Sequence, residues 1–500
     1  MKWLRFALIA FLLAGIAGVS PALAQGSVPR FESGACRFQE SPEFIEGKNL
    51  RCGYLAVPED RSRPNGPTIR LAVAVFQPKT ATASDPVFFL SGGPGDPLLS
   101  AIGPILTSSR IQMFFGDHPL VLLDQRGTGY SQPFLGCTEY DDLVYKALNI
   151  VDSVKLGKLS MAAARQCHAH LANLNINVDA YNTIEDAADV DALRTALGYK
   201  QIDLYGVSYG TRLAETVMRL YPSGVRSVVL DSVVPLQEDL YTGGFAAMAH
   251  AFQVLFSGCA ADAACNSEYP HLSGVFTQTA RKLNARPIRV QVIDPNTGAP
   301  FTVTFNGVRF GSLVFNAQYA APLIPLLPKL IWKVSKGKHG LLKQIAADFL
   351  FPRPGESAGM FLSVVCSEDA PFVNADQLTA ARNLLPAPLR TSTSGSLLHD
   401  PDPCQAWNVP AAPAAQKQPL SSTIPTLILD GEYDPITPPS NGELAQATLP
   451  NSYRFVFPAM GHAVLFSDSC PEAMVSGFFN HPQQKPDDFC ISGMAEPKFE

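Results

Sequence analysis

The chain has 500 residues, 46% of them hydrophobic, with 38 basic and 44 acidic side chains and a formal charge of −6. That length supports a large core, and more than one compact layer usually holds. No stretch is concentrated in basic residues, which argues against nucleic acid as a partner.

The first 24 residues read as a secretory signal. Lys2 and Arg5 give a basic start, Phe6 to Val19 is apolar and uncharged, and Ala22-Leu23-Ala24 fits a small-residue cleavage site before Gln25. The apolar run is shorter than the roughly 20 residues that span a bilayer. No second stretch reads as a span, so the expectation is an exported protein, periplasmic or secreted, without a stable membrane span after cleavage. The ten cysteines suit an oxidising compartment. None forms a CxxC or a cluster of zinc-ligand spacing, so neither a metal nor an organic cofactor is expected. Short loops close at least entropic cost, which pairs neighbours in order: Cys36–Cys52, Cys137–Cys167, Cys259–Cys265, Cys366–Cys404 and Cys470–Cys490.

Strand-like runs follow. Thr68 to Phe76 alternates, whereas Pro86 to Leu90, Leu120 to Leu123, Ile202 to Tyr205 and Val225 to Leu230 are continuously apolar, as suits strands covered on both faces. Between them, "NTIEDAADVDALRTALGY" predicts a helix. Thr183 and Asp186 have capping-box spacing, Ile184, Ala188, Leu193 and Leu197 form an apolar stripe, and Gly198 is a stop. Alternating strands and helices predict an α/β fold with a mostly parallel sheet and helices on both faces. After about Pro235 the rhythm is lost. A hairpin is expected over 288–305 and helices broken by Pro322, Pro325 and Pro328 over 310–350. The rhythm returns with strands at 423–430 and 452–457. The chain therefore divides into a signal (1–24), a first core part (25–235), a large, mainly helical inserted cap (236–420) and a second core part (421–500).

Chemistry gathers at the carboxyl ends of parallel strands. "GVSYG" matches G-x-S-x-G between a strand and a helix, the nucleophile elbow, and makes Ser208 the expected nucleophile. "LILDGEYDPITPP" offers Asp430 and Asp434 after a strand. Asp434 is preferred as the acid, with Thr437 placed to donate to it. "FPAMGHAVLF" puts His462 after the next strand as general base. Ser208, Asp434, His462 is the chain order of α/β-hydrolases. "FFLSGGPGD" leaves backbone N–H groups free after a strand. The oxyanion hole is assigned to the N–H groups of Tyr209 and Gly93, with Gly92 as alternative.

Taken together, "GGPG", "DQRGTGYS", "GVSYGT", "DPITP" and "GH" resemble the secreted tripeptidyl-aminopeptidase and prolyl-iminopeptidase group of serine peptidases. The resemblance implies an α/β-hydrolase fold with the triad on Ser208, Asp434 and His462 and the oxyanion positions on Gly93 and Tyr209. Ser91 stands where the prolyl-iminopeptidase pattern has a histidine, which favours the tripeptidyl branch. The resemblance also implies a cap over the site whose acids hold the free amino end of a peptide. Glu368 with Asp369 is the preferred pair, ahead of Glu238 with Asp239. The expected function is thus a serine exopeptidase acting on peptides with a free N-terminus. A carboxylic ester hydrolase or thioesterase is the alternative on the same fold. A non-catalytic binding protein on a hydrolase scaffold ranks below both.

Overall fold

A computed structural model describes residues 28–79, 81–83, 85–390 and 402–500. The expected signal segment lies outside them.

Among the described residues, nine strands form one sheet: β1 (Arg30–Ser33), β2 (Leu50–Pro58), β3 (Thr68–Phe76), β4 (Val87–Leu90), β5 (Leu120–Leu123), β6 (Ile202–Val207), β7 (Val225–Asp231), β10 (Thr426–Gly431) and β11 (Ser452–Phe457). The remaining strands, β8 (Ile288–Ile293) and β9 (Pro300–Phe305), make a separate antiparallel hairpin. The sheet order is β1-β2-β3-β5-β4-β6-β7-β10-β11. From β5 to β11 every pairing is parallel, and β1 to β3 join antiparallel at one edge.

The continuous apolar runs follow from burial on both faces. Phe89, Leu122, Tyr205, Val229 and Leu427 point into one cluster, with Ile111, Phe115 and Phe478 from covering helices. Their neighbours Phe88, Val121, Leu204, Val228 and Ile428 point into the opposite one, with Val190, Leu193, Leu213 and Val217. Successive side chains of a strand alternate faces, so a strand covered twice has no polar position to spare.

The helix expected from "TIEDAADVDALRTALG" spans Thr183–Ala196. Its cap is Asn182, whose side chain accepts from the Glu185 N–H, and not Thr183. Thr183 is buried and used elsewhere. Gly198 follows with φ +82°, the left-handed conformation that stops a helix.

Between β7 and β10 lie helices and the β8–β9 hairpin, with a core of their own that includes Phe252, Phe276, Phe310, Leu330 and Ile345. Leu148, from before β6, also belongs to this core, so the chain ahead of the insertion contributes to it. One helix here, Leu240–Ala261, is long and apolar enough by length and composition to cross a membrane. This corrects the expectation that no such stretch follows the first. Its apolarity has a local use: Phe245, Met248, Phe252 and Leu255 are packed into the insertion core.

All ten cysteines are paired, neighbour with neighbour in chain order.

Candidate active site

Ser208 stands alone between β6 and the helix Tyr209–Leu220, with φ 56° and ψ −127°. Few non-glycine residues adopt positive φ, and a surrounding structure must hold them there. The glycines on either side make the turn feasible. A Cβ on Gly210 would lie 2.1 Å from the Leu90 carbonyl oxygen, and one on Gly206 2.4 Å from that of Gly210. The Ser208 N–H donates to the Asp231 carbonyl at 3.0 Å, while its hydroxyl makes no hydrogen bond among the described residues.

Asp434 and His462 follow β10 and β11, which pair in parallel and so bring their ends side by side. His462 Nδ1 lies 2.8 Å from Asp434 Oδ2. The carboxylate is wholly buried and fully subscribed. Oδ1 accepts from the N–H groups of Ile436 and Thr437 at 3.0 and 2.9 Å, and Oδ2 accepts from Thr437 Oγ1 at 2.7 Å. With Asp434 as acceptor, the network assigns the ring proton to Nδ1 and leaves Nε2 as the basic nitrogen. Burial alone would push the Asp434 carboxyl up. His462 beside it and the Thr437 hydrogen bonds hold it below the usual carboxylate range. Burial would likewise push His462 down, but the Asp434 charge outweighs it and holds the imidazole above its ordinary value.

Asp430 has a different occupation. It is buried against Arg454 at 2.6 Å, and burial pushes its carboxyl up to about 7.

The "GGPGD" loop approaches Ser208 closely. A Cβ on Gly92 would stand 3.0 Å from Ser208 Cβ and 3.5 Å from Oγ. The N–H groups of Gly93 and Tyr209 donate to no acceptor among the described residues, so they are available to a ligand. Two residues of "DQRGTGYS" fix this loop. Asp124 accepts from the N–H groups of Leu98 and Leu99 at 2.8 and 2.9 Å. Gln125 Nε2 donates to the Ser91 carbonyl at 3.1 Å. Arg126, fully buried, ties the same segment to the helix Thr183–Ala196 through two bonds to Asp189.

The segment between β7 and β10 meets the loops that follow β4 and β11. The Ser357 N–H donates to the Gly95 carbonyl at 2.9 Å, and the His462 N–H to the Tyr319 carbonyl at 3.2 Å. The Tyr319 ring meets the imidazole edge-on, with centroids 5.0 Å apart.

Glu368 and Asp369, the preferred acids for an amino terminus, are already occupied. Both Glu368 and Asp369 are fully buried. Glu368 accepts from the Thr183 N–H and hydroxyl, each at 2.7 Å. Asp369 pairs with Arg212 and with Lys417, both at 3.0 Å. Two cations already neutralise this pair, so nothing here is left over for a substrate ammonium. Asp239 caps the helix Leu240–Ala261 by accepting from the N–H groups of Tyr241 and Thr242. The sequence reading missed Asp231. It is visible only as a strand-ending acid in "VVLDS", a signal shared with many structural carboxylates. Among the described residues no group of histidine, cysteine and acidic side chains could hold a metal ion.

A family model described as "alpha/beta hydrolase fold" matches residues 85–469, from just before β4 to the helix after His462. The chain belongs to the alpha/beta hydrolase fold family. As a member of it, the protein is similar to serine protease Hip1 of Mycobacterium tuberculosis, at 25% identity over 95% of this chain and 94% of that one. It is also similar to a tripeptidyl aminopeptidase of Streptomyces lividans, at 33% identity over 38% of this chain and 37% of that one. The putative hydrolase YuaR of Escherichia coli is 27% identical over 50% of this chain and 49% of it.

Proposed function

We propose that this alpha/beta hydrolase is an exported serine exopeptidase that cleaves peptides near a free N-terminus through an acyl-enzyme. The observation that carries the reading is the Asp434–His462 pair at 2.8 Å, on the same sheet end as a serine held in an elbow. The likeness to Hip1 along nearly the whole chain and the partial likeness to a tripeptidyl aminopeptidase support a peptidase. Five disulfides support export.

In this reading, Ser208 Oγ attacks the scissile carbonyl as His462 Nε2 takes its proton. Asp434 holds the ring tautomer and stabilises the imidazolium. The oxyanion gains the N–H groups of Tyr209 and Gly93, which need no reorganisation at the moment of reaction. His462 then protonates the leaving amine, and water repeats the cycle on the acyl ester. Exopeptidase length control requires a group that receives the substrate ammonium. Glu368 and Asp369 do not suit that task, for the reasons above.

The test compares a peptide arylamide carrying a free amino end with its N-acetylated twin and with a short acyl ester. The exopeptidase reading expects at least a tenfold higher kcat/KM on the free peptide. Equal rates on both peptides would point to an endopeptidase. Turnover of the ester alone would favour the carboxylic ester hydrolase.

A further inference from the structure

Asp231 ends β7 and is buried, yet none of the roles above uses it. Its contacts reach both the Ser208 elbow and the loop that carries His462. Its backbone carbonyl accepts from the Ser208 N–H at 3.0 Å. Its carboxylate accepts from the N–H groups of Val464 and Leu465, two and three residues past His462, at 2.9 and 3.0 Å. The Tyr205 hydroxyl donates to the same carboxylate at 2.7 Å. The next residue extends the grip. Ser232 Oγ accepts from the Ala463 N–H at 2.9 Å and donates to Asp231 Oδ1 at 3.3 Å. Ser232 itself has φ 60°, a second strained non-glycine position close to the elbow.

Every partner of the carboxylate is a donor: two amides, a phenol and a hydroxyl. An ionised carboxylate is acceptor-only and suits all four. Burial pushes this carboxyl up, and the Leu465, Tyr205 and Val464 hydrogen bonds and the nearby His462 pull against that rise. The three consecutive N–H groups of Ala463, Val464 and Leu465 are thus fixed by two adjacent side chains. The nucleophile's own N–H is fixed by the backbone of one of them.

We propose that Asp231, assisted by Ser232, is a positioning residue that sets the separation of Ser208 and His462 and adds a negative charge beside the imidazole. It bonds to no reacting atom. It acts through the elbow on one side and the histidine loop on the other, and it rests on the triad reading under Proposed function. His462 also faces Asp434 and Asp96, the latter paired with Arg353 at 3.5 Å. Asp231 faces Tyr205 and His462 and lies within electrostatic range of Asp430. Among these acids, Asp434 binds the ring and Asp231 binds the backbone that carries it.

The experiment measures full-length Asp231→Asn on a free-ended peptide arylamide. Asparagine keeps the shape but turns one acceptor into a donor and removes the charge. The expected result is a kcat about tenfold to a hundredfold lower, with KM within about twofold. The acid limb of kcat is expected to move about half a unit to lower pH, as loss of a nearby anion demands. If Asp231→Asn fails to fold, Ser232→Ala takes its place. It removes the acceptor of the Ala463 N–H and one donor to Asp231 Oδ1, leaves the Val464 and Leu465 bonds to the carboxylate, and is expected to lower kcat several-fold at unchanged KM. Wild-type kcat in a folded variant, or a loss that follows melting temperature while the pH limb stays put, would overturn the proposal. A wild-type protein that turns over no acyl substrate and leaves Ser208 unlabelled by a fluorophosphonate would overturn the triad reading first, and this proposal with it.

Discussion

The imidazole Nδ1 of His462 and the carboxylate Oδ2 of Asp434 meet at 2.8 Å across 28 residues of chain, because adjacent parallel strands end at the same edge. This contact fixes the expected pH behaviour. His462 is held above its ordinary value of 6.5, so the neutral base appears only above that pH and the acid limb of kcat lies there. In Asp434→Asn the opposing charge is gone and burial remains. The limb is expected to move to lower pH, and kcat to fall by about 10⁴-fold as the tautomer is lost. Stability follows the same two groups. The raised histidine contributes fully below pH 6.5 and loses its contribution as pH rises through its folded value. The lowered aspartate contributes above 3.8 and loses its contribution as pH falls through its folded value. A pH series of denaturant melts on wild type and Asp434→Asn checks both signs.

Gly210 packs against the backbone of two consecutive residues at the end of β4. A Cβ there would stand 2.1 Å from the Leu90 carbonyl oxygen and 2.9 Å from that of Ser91. Gly210→Ala is expected to cost more than the roughly 1–3 kcal/mol of ordinary overpacking, because backbone cannot give way like a side chain. Gly477, in the helix Ser469–Asn480, would meet nothing within 4 Å. Gly477→Ala is expected to stabilise by about 0.5–1 kcal/mol on helix propensity alone. Thermal melts of the two variants give opposite signs if the elbow is packed as described.

Gln125 separates stability from activity. It is buried, its Nε2 holds the Ser91 carbonyl, and its Oε1 has no partner among the described residues. Gln125→Met keeps the volume and removes the orphan acceptor, so stability is expected to hold or rise slightly. The grip on the loop carrying Gly92 and Gly93 is lost as well, and kcat is expected to fall about tenfold with little change in KM. Parallel melting and steady-state measurements check the split.

The Cys137–Cys167 bridge closes a 30-residue separation at the start of the helix Thr138–Ala147. Replacing both cysteines by serine is expected to cost about 3–4 kcal/mol by loop-closure entropy. Both cysteines belong to a core cluster that also holds Tyr209, the residue after Ser208, so kcat at 25 °C is expected to fall by no more than a few-fold while the chain stays folded. Denaturant unfolding with and without reductant measures the loss.

Much of this architecture is legible in residue order. The apolar runs of β4 to β7 announce a sheet covered on both faces, and "GVSYG", Asp434 and His462 fall at strand ends that the sheet aligns. The edge strand β1 and its neighbour β2 are not legible, because "RFES" is short and polar and "LRCGYLAVP" mixes glycine, cysteine and proline into an otherwise plain strand. The helix cap was misread by one residue, since Thr183 has the right chemistry but is turned inward to Glu368 and Tyr209. Sequence also cannot tell a carboxylate that awaits a substrate from one already neutralised. Glu368 and Asp369 carry the same letters either way, and only Thr183, Arg212 and Lys417 packed around them decide. Asp231 does not stand out for the converse reason: two of its carboxylate's four partners are backbone amides, which leave no mark in a sequence.

The central claim is that Ser208 acts as a nucleophile because His462, oriented by Asp434, removes its proton. The most direct measurement is to treat the protein with a fluorophosphonate, digest it and locate the adduct by mass spectrometry, alongside His462→Ala. The account predicts one adduct, on Ser208, with labelling at least a hundredfold slower in the variant. An adduct on another residue, or equal labelling of Ser208 without the imidazole, would contradict it.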